Sequence, residues 1–191
     1  GAAIVFFGYR QQESSRGDSR PFFLLFSKGR KDDSTELSPI FGENFIKIEH
    51  IGSTSVPGMI AKPQIDAILV VKDLDHVKYL YTTMSNYGFM SFGNFIQKAE
   101  PEEYFAKDNE LGERLFSVHV MQEGNPEIED TINFRDYLVA NSEARDAYIN
   151  YKQKLMQEFG DQDYNSYSKG KVNFLEELKS KARAWQEKNL N

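Results

Sequence analysis

The sequence contains no cysteine among its 191 residues. This absence excludes disulfide bonds and metal sites built from thiolates. The chain also lacks an unbroken apolar run of about 18 residues, the length that a membrane-spanning helix needs. The apolar stretch at residues 1–7 is short and has no basic leader, so it does not predict a signal peptide. We therefore expect a cytoplasmic protein with no membrane partner.

Positive charge is also scarce. The chain has 23 lysines and arginines against 29 aspartates and glutamates, a net charge of −6. An extended nucleic-acid surface relies on dense Lys and Arg to neutralise phosphates, so this balance argues against one. A small phosphorylated ligand needs only a local positive pocket. The candidates for that pocket are Lys62, Arg114, Arg135 and Lys171.

The hydrophobic pattern predicts an α/β (α+β) fold with a mixed sheet flanked by helices and a helical C-terminal third. Apolar residues make up 40% of the chain and no composition break divides it, which predicts one domain over residues 1–191. Apolar alternation or continuous apolar runs predict five strands. They lie at residues 45–51, 64–72, 89–98, 102–107 and 114–122. A helix is expected between Asp73 and Gly88, and Asn125-Pro126 predicts the start of the C-terminal helices.

The segment 48–71 carries the most information about function. It reads as a strand, a tight Gly-Ser turn, a short helical crossover and a second strand. The turn, with Gly52, Ser53, Thr54 and Ser55, offers backbone N–H groups and hydroxyls to an anion. An ordinary tight turn is the alternative.

Asp66 lies in the second strand of that segment, among apolar neighbours. An unpaired charge there would be costly, so a partner is expected. We favour a metal ion or a substrate as that partner. A structural ion pair with Lys62 is the alternative.

Three further positions are candidates for the same pocket. His119 lies between Val118 and Val120, so strand alternation points it away from its two apolar neighbours, either as a ligand or proton carrier or as an ordinary histidine on a sheet face. Tyr167 and Lys171 are four residues apart and share a helix face, which suits a pocket wall or a lysine stem covered by tyrosine.

Three other residues have competing interpretations. Arg135 could contribute to the pocket, or it could form a helix-surface ion pair with Asp136. Glu49 and His50 adjoin the turn, but adjacent strand residues face opposite sides, so only one of them can face the pocket.

The motifs resemble those of the GrpB family, also called the UPF0157 proteins. The resemblance rests on His50-Ile-Gly-Ser-Thr-Ser-Val-Pro-Gly58, on Lys62-Pro-Gln-Ile-Asp66 and on shorter matches further along. These shorter matches are Val118-His-Val120, Phe134-Arg-Asp-Tyr-Leu138 and Tyr167 followed by Lys171 and Phe174-Leu175. The resemblance covers about residues 43–180 and implies the nucleotidyltransferase fold. Residues 20–26 resemble the start of the family's N-terminal helix, after an apolar strand or arm at 4–7 and a loop at 11–20.

One departure from a working nucleotidyltransferase stands out. Such enzymes hold Mg²⁺ with two carboxylates spaced two residues apart and a third on a neighbouring strand. Here Ile68 occupies the second position and His119 the position matched to the third. A divalent metal, Mg²⁺ or Mn²⁺, would then depend on Asp66 with His119 or Glu49, and histidine suits Mn²⁺ or Zn²⁺ better than Mg²⁺.

The leading hypothesis is a nucleotidyltransferase-like protein that binds a nucleotide or another phosphorylated small molecule, with metal-dependent nucleotidyl transfer as a further expectation. Ser53 and the turn would hold phosphate, while Asp66 and His119 would be catalytic. Lys62, Arg135 and Lys171 would offset anionic charge. The alternative is a non-catalytic ligand-binding or regulatory module on the same fold.

Overall fold

The computed structural model describes residues 10–11, 37–94, 101–159 and 163–189. The predicted arm at 4–7, most of the loop at 11–20 and the helix start at 20–26 lie outside these ranges. Residues 95–98 of the third predicted strand also lie outside them. The prediction of one domain over the whole chain stays a prediction.

Five strands form the mixed sheet that the sequence predicts, and a separate two-stranded ladder lies beside it. The ladder pairs β1 (Arg10–Gln11) with β3 (Ile60–Ala61). The strands of the main sheet are β2 (Phe45–Ile51), β4 (Ile65–Val71), β5 (Met90–Gly93), β6 (Glu103–Asp108) and β7 (Arg114–Gln122). Their order is β2-β4-β7-β6-β5, and only the β4–β7 pair is parallel.

The described helices are α1 (Ser38–Phe41), α2 (Tyr81–Asn86), α3 (Pro126–Ala140), α4 (Ser142–Phe159) and α5 (Tyr164–Asn189). Asn125 caps α3 as predicted, because its side chain accepts a hydrogen bond from the backbone N–H of Glu127 at 2.9 Å. The helix expected after Asp73 is mixed, since a 3₁₀ segment (Asp75–Leu80) precedes α2. No helix in the described part of the chain is both long and apolar enough to cross a membrane.

The connection from β2 to β4 differs from the prediction of a helical crossover. These two strands are antiparallel, so their connection does not cross over the sheet. It contains a three-residue 3₁₀ turn (Ser53–Ser55) and β3 instead. The Pro57-Gly58 pair breaks any longer helix at this point, with Gly58 at a φ of 79°.

The two faces of the sheet pack against different helices. One face carries Leu69 and Val118 in a core cluster that also contains Met84 of α2. The opposite face carries Ile68, which packs with Val70, Met121 and, from α3, Ile128. This face continues towards Asp66, whose Cα partner in β7 is Ser117. The C-terminal helices therefore lie beside Asp66, on the side of the sheet where it is exposed to a cleft.

Candidate functional site

The turn after β2 lies directly against Asp66. Gly52 has a φ of 73°, a backbone conformation that side chains rarely allow. A Cβ atom at Gly52 would lie only 2.6 Å from Oδ2 of Asp66. Position 52 therefore requires glycine both for its conformation and for the space that the Asp66 carboxyl group occupies.

Gln64 orients the carboxyl group of Asp66. Its Nε2 donates a hydrogen bond to Asp66 Oδ1 at 2.6 Å and another to Ser117 Oγ at 3.0 Å. Burial raises the pKa of Asp66, while this hydrogen bond and the positive charges of His119, Lys171 and Arg114 act in the opposite direction. Asp66 is thus a buried acid whose partners are hydrogen-bond donors and cations.

A cavity of about 210 Å³ opens beside Asp66, and we call it the lysine cavity. Three lysines from separate parts of the chain meet in its wall. They are Lys62, Lys152 and Lys171. The rest of the wall comes from Ser53, Thr54, Ile60, Ala61, Gln64, Asp66, Tyr148 and Tyr167. The predicted residues Ser53, Thr54, Lys62, Asp66, Tyr167 and Lys171 are therefore brought together, with only one carboxyl group among them.

Lys152 of α4 is the principal site residue that the motifs do not single out. Its side chain is buried, with a relative exposure of 6%. Its Nζ donates to Ser53 Oγ at 3.1 Å and to the carbonyl oxygen of Ile60 at 2.6 Å. Burial, with Lys171 adding to the effect, lowers the pKa of Lys152 to about 8. The signal in the sequence is its spacing, because Lys152 follows Tyr148 by four residues on the apolar face of a helix.

Tyr167 and Lys171 of α5 form part of the pocket wall, and the tyrosine ring also covers the lysine, so both interpretations of their spacing apply. Lys171 Nζ lies 4.9 Å from the centre of the Tyr167 ring, and both side chains line the lysine cavity. Burial lowers the pKa of Lys171, and Lys62 acts in the same direction while Asp66 opposes it. The positive charges of the cavity thus repel one another.

A second cavity of about 190 Å³ is also lined by Asp66, and we call it the apolar cavity. Apolar side chains make up most of its wall, including Val56, Phe134 and Leu138. The rest of the wall comes from Ile51, Gly52, Ser53, Asp66, His119, Thr131, Arg135 and Tyr148. Ser53, Asp66 and Tyr148 line both cavities, so the two form one continuous candidate site.

His119 faces the same side of the sheet as Asp66. Its neighbours Val118 and Val120 point into the opposite core, as the alternation predicts. His119 Nδ1 lies 3.1 Å from Oε2 of the buried Glu102. The other ring nitrogen is then the one that can serve a ligand, and the ring lines the apolar cavity together with Asp66.

Arg135 joins α3 to β2. Its Nη1 donates to Glu49 Oε2 at 3.0 Å and to the carbonyl oxygen of His50 at 2.9 Å, while its Nε donates to Asp136 at 2.7 Å. The side chain is 19% exposed, so Arg135 does more than form a surface ion pair with Asp136. Among the described residues Glu49 lines neither cavity, and its carboxylate is held by Arg135. The structure therefore does not bring Glu49 to Asp66.

The hydroxyl groups of Thr54 and Ser55 stabilise the turn through hydrogen bonds. Thr54 Oγ1 donates to the carbonyl oxygen of Gln64 at 2.9 Å and lies 3.0 Å from His50 Nε2. Ser55 Oγ donates to the carbonyl oxygen of Gly52 at 2.6 Å. Burial, followed by the charge of Arg135, lowers the pKa of His50 to about 4. His50 is therefore neutral at pH 7 and supports the turn from the other face of the sheet.

The His, Asp and Glu side chains of the described residues do not form a site for two metal ions. The described ranges contain no group of three or more His, Asp or Glu side chains that could hold a metal ion. Ile68, at the position where a nucleotidyltransferase would carry a second carboxylate, is 1% exposed and packs in the core. Asp66 and His119 remain as the only pair of predicted ligands that lines a common cavity in the described structure.

Comparisons with known proteins agree on one family. The model of a family described as GrpB protein matches residues 26–181. The UPF0157 protein YqkA of Bacillus subtilis is 32% identical over 160 residues, which are 84% of this chain but only 45% of YqkA. The glutamate-rich protein GrpB of Alkalihalophilus pseudofirmus is 30% identical over 157 residues, 81% of this chain and 86% of that protein. The crystal structure of conserved protein GrpB from Enterococcus faecalis superimposes with a TM-score of 0.69 at 32% identity, covering 78% of this chain and 88% of that one.

Proposed function

The chain belongs to the GrpB family, and we propose that its lysine cavity binds the phosphate of a nucleotide or of another phosphorylated small molecule. The observation that carries this proposal is the meeting of Lys62, Lys152 and Lys171 around one small cavity. Three ammonium groups facing a single carboxyl group leave an excess of positive charge. A bound phosphate would neutralise that excess.

The lowered pKa values of Lys152 and Lys171 support the proposal. Lys152 is buried and Lys171 is half-buried, and each is close to another lysine, so each is charged at a cost to the folded state. An anion that enters the cavity reverses this effect and raises both pKa values. Because the chain as a whole is acidic, the lysines attract anions only near the cavity. This local attraction favours a small anion over an extended nucleic acid.

The apolar cavity supplies a place for the rest of such a ligand. It adjoins the lysine cavity across Ser53 and Asp66, and Phe134 offers an aromatic ring to an apolar or planar group. A nucleotide combines these two chemical characters, a phosphate and a planar base. We therefore rank nucleotides first among phosphorylated ligands and take the cytoplasm as the compartment that supplies them.

A metal-dependent nucleotidyltransferase is the catalytic form of this proposal. One divalent cation, Mg²⁺ or Mn²⁺, would be held by Asp66 and His119, which line the same cavity. A bound cation would supply charge to the phosphate. The non-catalytic ligand-binding or regulatory module is the second candidate, and the apolar Ile68 favours it because the ordinary pair of metal carboxylates is missing.

Calorimetric and thermal-shift titrations test the binding proposal. Nucleotides, CoA-like compounds and pyrophosphate are titrated with and without Mg²⁺, Mn²⁺ or Zn²⁺. A ligand at 100 times its dissociation constant should stabilise the fold by about 2.7 kcal/mol. Lys171→Met should weaken this binding about tenfold or more, whereas Lys169→Met, an exposed lysine on the same helix, should leave it unchanged. Equal affinities in the two variants, or no binding across the panel, would overturn the proposal.

Transfer assays with labelled nucleotides separate the enzyme from the binding module. Asp66→Asn keeps the shape of the side chain and removes its charge, so it should abolish metal-dependent transfer while the fold persists. Activity that survives this change contradicts the proposed metal role of Asp66. No turnover in the parent protein under any metal condition supports the module, and Ile68→Asp should then only destabilise the strand by burying a charge.

A further inference from the structure

We propose that Ser53 and Lys152 form a nucleophile and general-base pair that cleaves carboxylic esters carrying a phosphate group. A serine hydroxyl alone is a weak nucleophile and needs an adjacent base. Lysine can be that base when its amine is neutral and within hydrogen-bond reach, an arrangement known among the variants of the serine triad.

The geometry of the two residues meets these requirements. Lys152 Nζ lies 3.1 Å from Ser53 Oγ, and its second hydrogen bond, to the carbonyl oxygen of Ile60 at 2.6 Å, fixes the orientation of the amine. Both side chains line the lysine cavity, so a substrate can reach the hydroxyl group. The pair comes from the turn after β2 and from α4, 99 residues apart in the chain, which is why no local motif indicates it.

The lowered pKa of Lys152 suits the role of a general base. A lysine with an ordinary pKa is almost entirely protonated at neutral pH and cannot accept a proton. Burial brings the pKa of Lys152 to about 8, close to the working pH at which general bases are most effective. Its side chain is only 6% exposed, so water solvates the ammonium form poorly.

The reaction balances with water as the co-reactant. Lys152 Nζ accepts the proton of Ser53 Oγ–H as Oγ bonds to the carbonyl carbon of the ester. The C–O bond to the leaving alcohol then breaks, and the Lys152 ammonium group gives the alcohol oxygen its proton. A water molecule, deprotonated by Lys152, attacks the acyl-serine, and the proton returns to Ser53 Oγ. The sum is ester plus water to carboxylic acid plus alcohol.

Lys62 and Lys171 define the substrate class. Both face the same cavity as the Ser53 hydroxyl, and their charges suit a phosphate on the substrate. This preference for phosphate rests on the proposed function, whereas the pairing of Ser53 with Lys152 does not. A small ester without phosphate should therefore still react, although it should bind more weakly.

Labelling with a small fluorophosphonate tests the pair directly. The Ser53 oxygen should bond to phosphorus as fluoride leaves, and mass spectrometry should locate the adduct on Ser53. The labelling rate of the parent should rise with pH with a midpoint near 8. Ser53→Ala should abolish the adduct, and Lys152→Arg, which stays charged, should slow labelling by about a hundredfold, within the usual range for a lost general base. Ser85→Ala and Lys154→Met change an exposed serine and an exposed lysine and should label at the parental rate.

The outcomes distinguish this proposal from the binding function. Absence of a Ser53 adduct in the parent after prolonged exposure at pH 9, or equal labelling rates in the parent and a folded Lys152→Arg variant, would overturn the pair. If Lys152→Arg does not fold, a pH-independent labelling rate in the parent overturns it equally. Hydrolysis of p-nitrophenyl acetate that disappears in Ser53→Ala supports it. The labelling and p-nitrophenyl acetate assays use no phosphate ligand. They therefore test the Ser53–Lys152 pair even if nucleotides do not bind.

Discussion

Replacing Gly52 by alanine should destabilise the protein more than the same change at any open glycine. Gly52 has φ 73° and ψ −173°, a region that is almost exclusive to glycine, and strain there costs about 1–3 kcal/mol. The new methyl group would also lie 2.6 Å from Asp66 Oδ2 and 3.2 Å from Asp66 Cγ. Overpacking of this kind costs about another 1–3 kcal/mol. We therefore expect a loss of about 2–6 kcal/mol, a large fraction of a typical stability of about 5–15 kcal/mol.

Urea unfolding at 25 °C, with linear extrapolation, measures this loss. Gly112→Ala is the matched control, because Gly112 has a φ of 77° but no atom lies within 4 Å of the position that its new methyl group would take. The control should lose about 1–2 kcal/mol from backbone strain alone. Asp66→Ala should then recover part of the loss at Gly52, since it removes the atoms beyond Cβ. Equal losses at Gly52 and Gly112, or independence of the Gly52 and Asp66 changes, would refute the close approach.

Three further predictions concern titration and anchoring. The pKa of Lys152 is about 8 in the folded state and 10.5 ordinarily, so between these pH values the unfolded chain binds more protons than the folded chain. The unfolding free energy of the parent, measured relative to Lys152→Met, should therefore rise from pH 8 to pH 10. A difference that does not change with pH would contradict the burial of the Lys152 ammonium group. For His50 the folded pKa of about 4 lies below 6.5, so the parent should lose stability relative to His50→Gln as the pH falls from 6.5 to 4, which urea unfolding at several pH values would detect. Arg135→Met should cost about 1.5–3 kcal/mol in urea unfolding, because Glu49 loses the nearer of its two charged partners and the His50 carbonyl oxygen loses a donor. Arg183→Met, which breaks an exposed ion pair with Asp130, should cost at most about 1 kcal/mol, and similar losses would show that Arg135 does not anchor α3.

The sequence predicts those parts of the fold that are encoded by alternating or continuous apolar residues. The apolar run at residues 64–72 predicts a central strand covered on both faces, and the observed strand β4 lies between β2 and β7. The alternation around His119 places its ring on the face opposite Val118 and Val120. These features depend on neighbours in the chain, which a single sequence displays.

The features that the sequence does not reveal depend on contacts between distant segments. The spacing from Tyr148 places Lys152 on the apolar face of α4, but the hydrogen-bond partners of its Nζ, Ser53 and Ile60, lie in a distant segment. The direction of β4 relative to β2 is likewise a matter of pairing, and an antiparallel pair leaves no place for a crossover helix. Arg135 reads as the partner of Asp136 because the two are adjacent, although its other bonds reach β2.

The isoleucine at position 68 also limits which substitutions this chain can accept. Ile68 packs with Val70 and Met121 under Ile128 of α3, so its side chain is part of what fixes that helix to the sheet. A change to an acid at this position would put a charge under the helix before any cation could benefit from it. A carboxylate at this position would therefore require α3 to repack first. The cavity walls can accept new polar groups more easily than position 68 can.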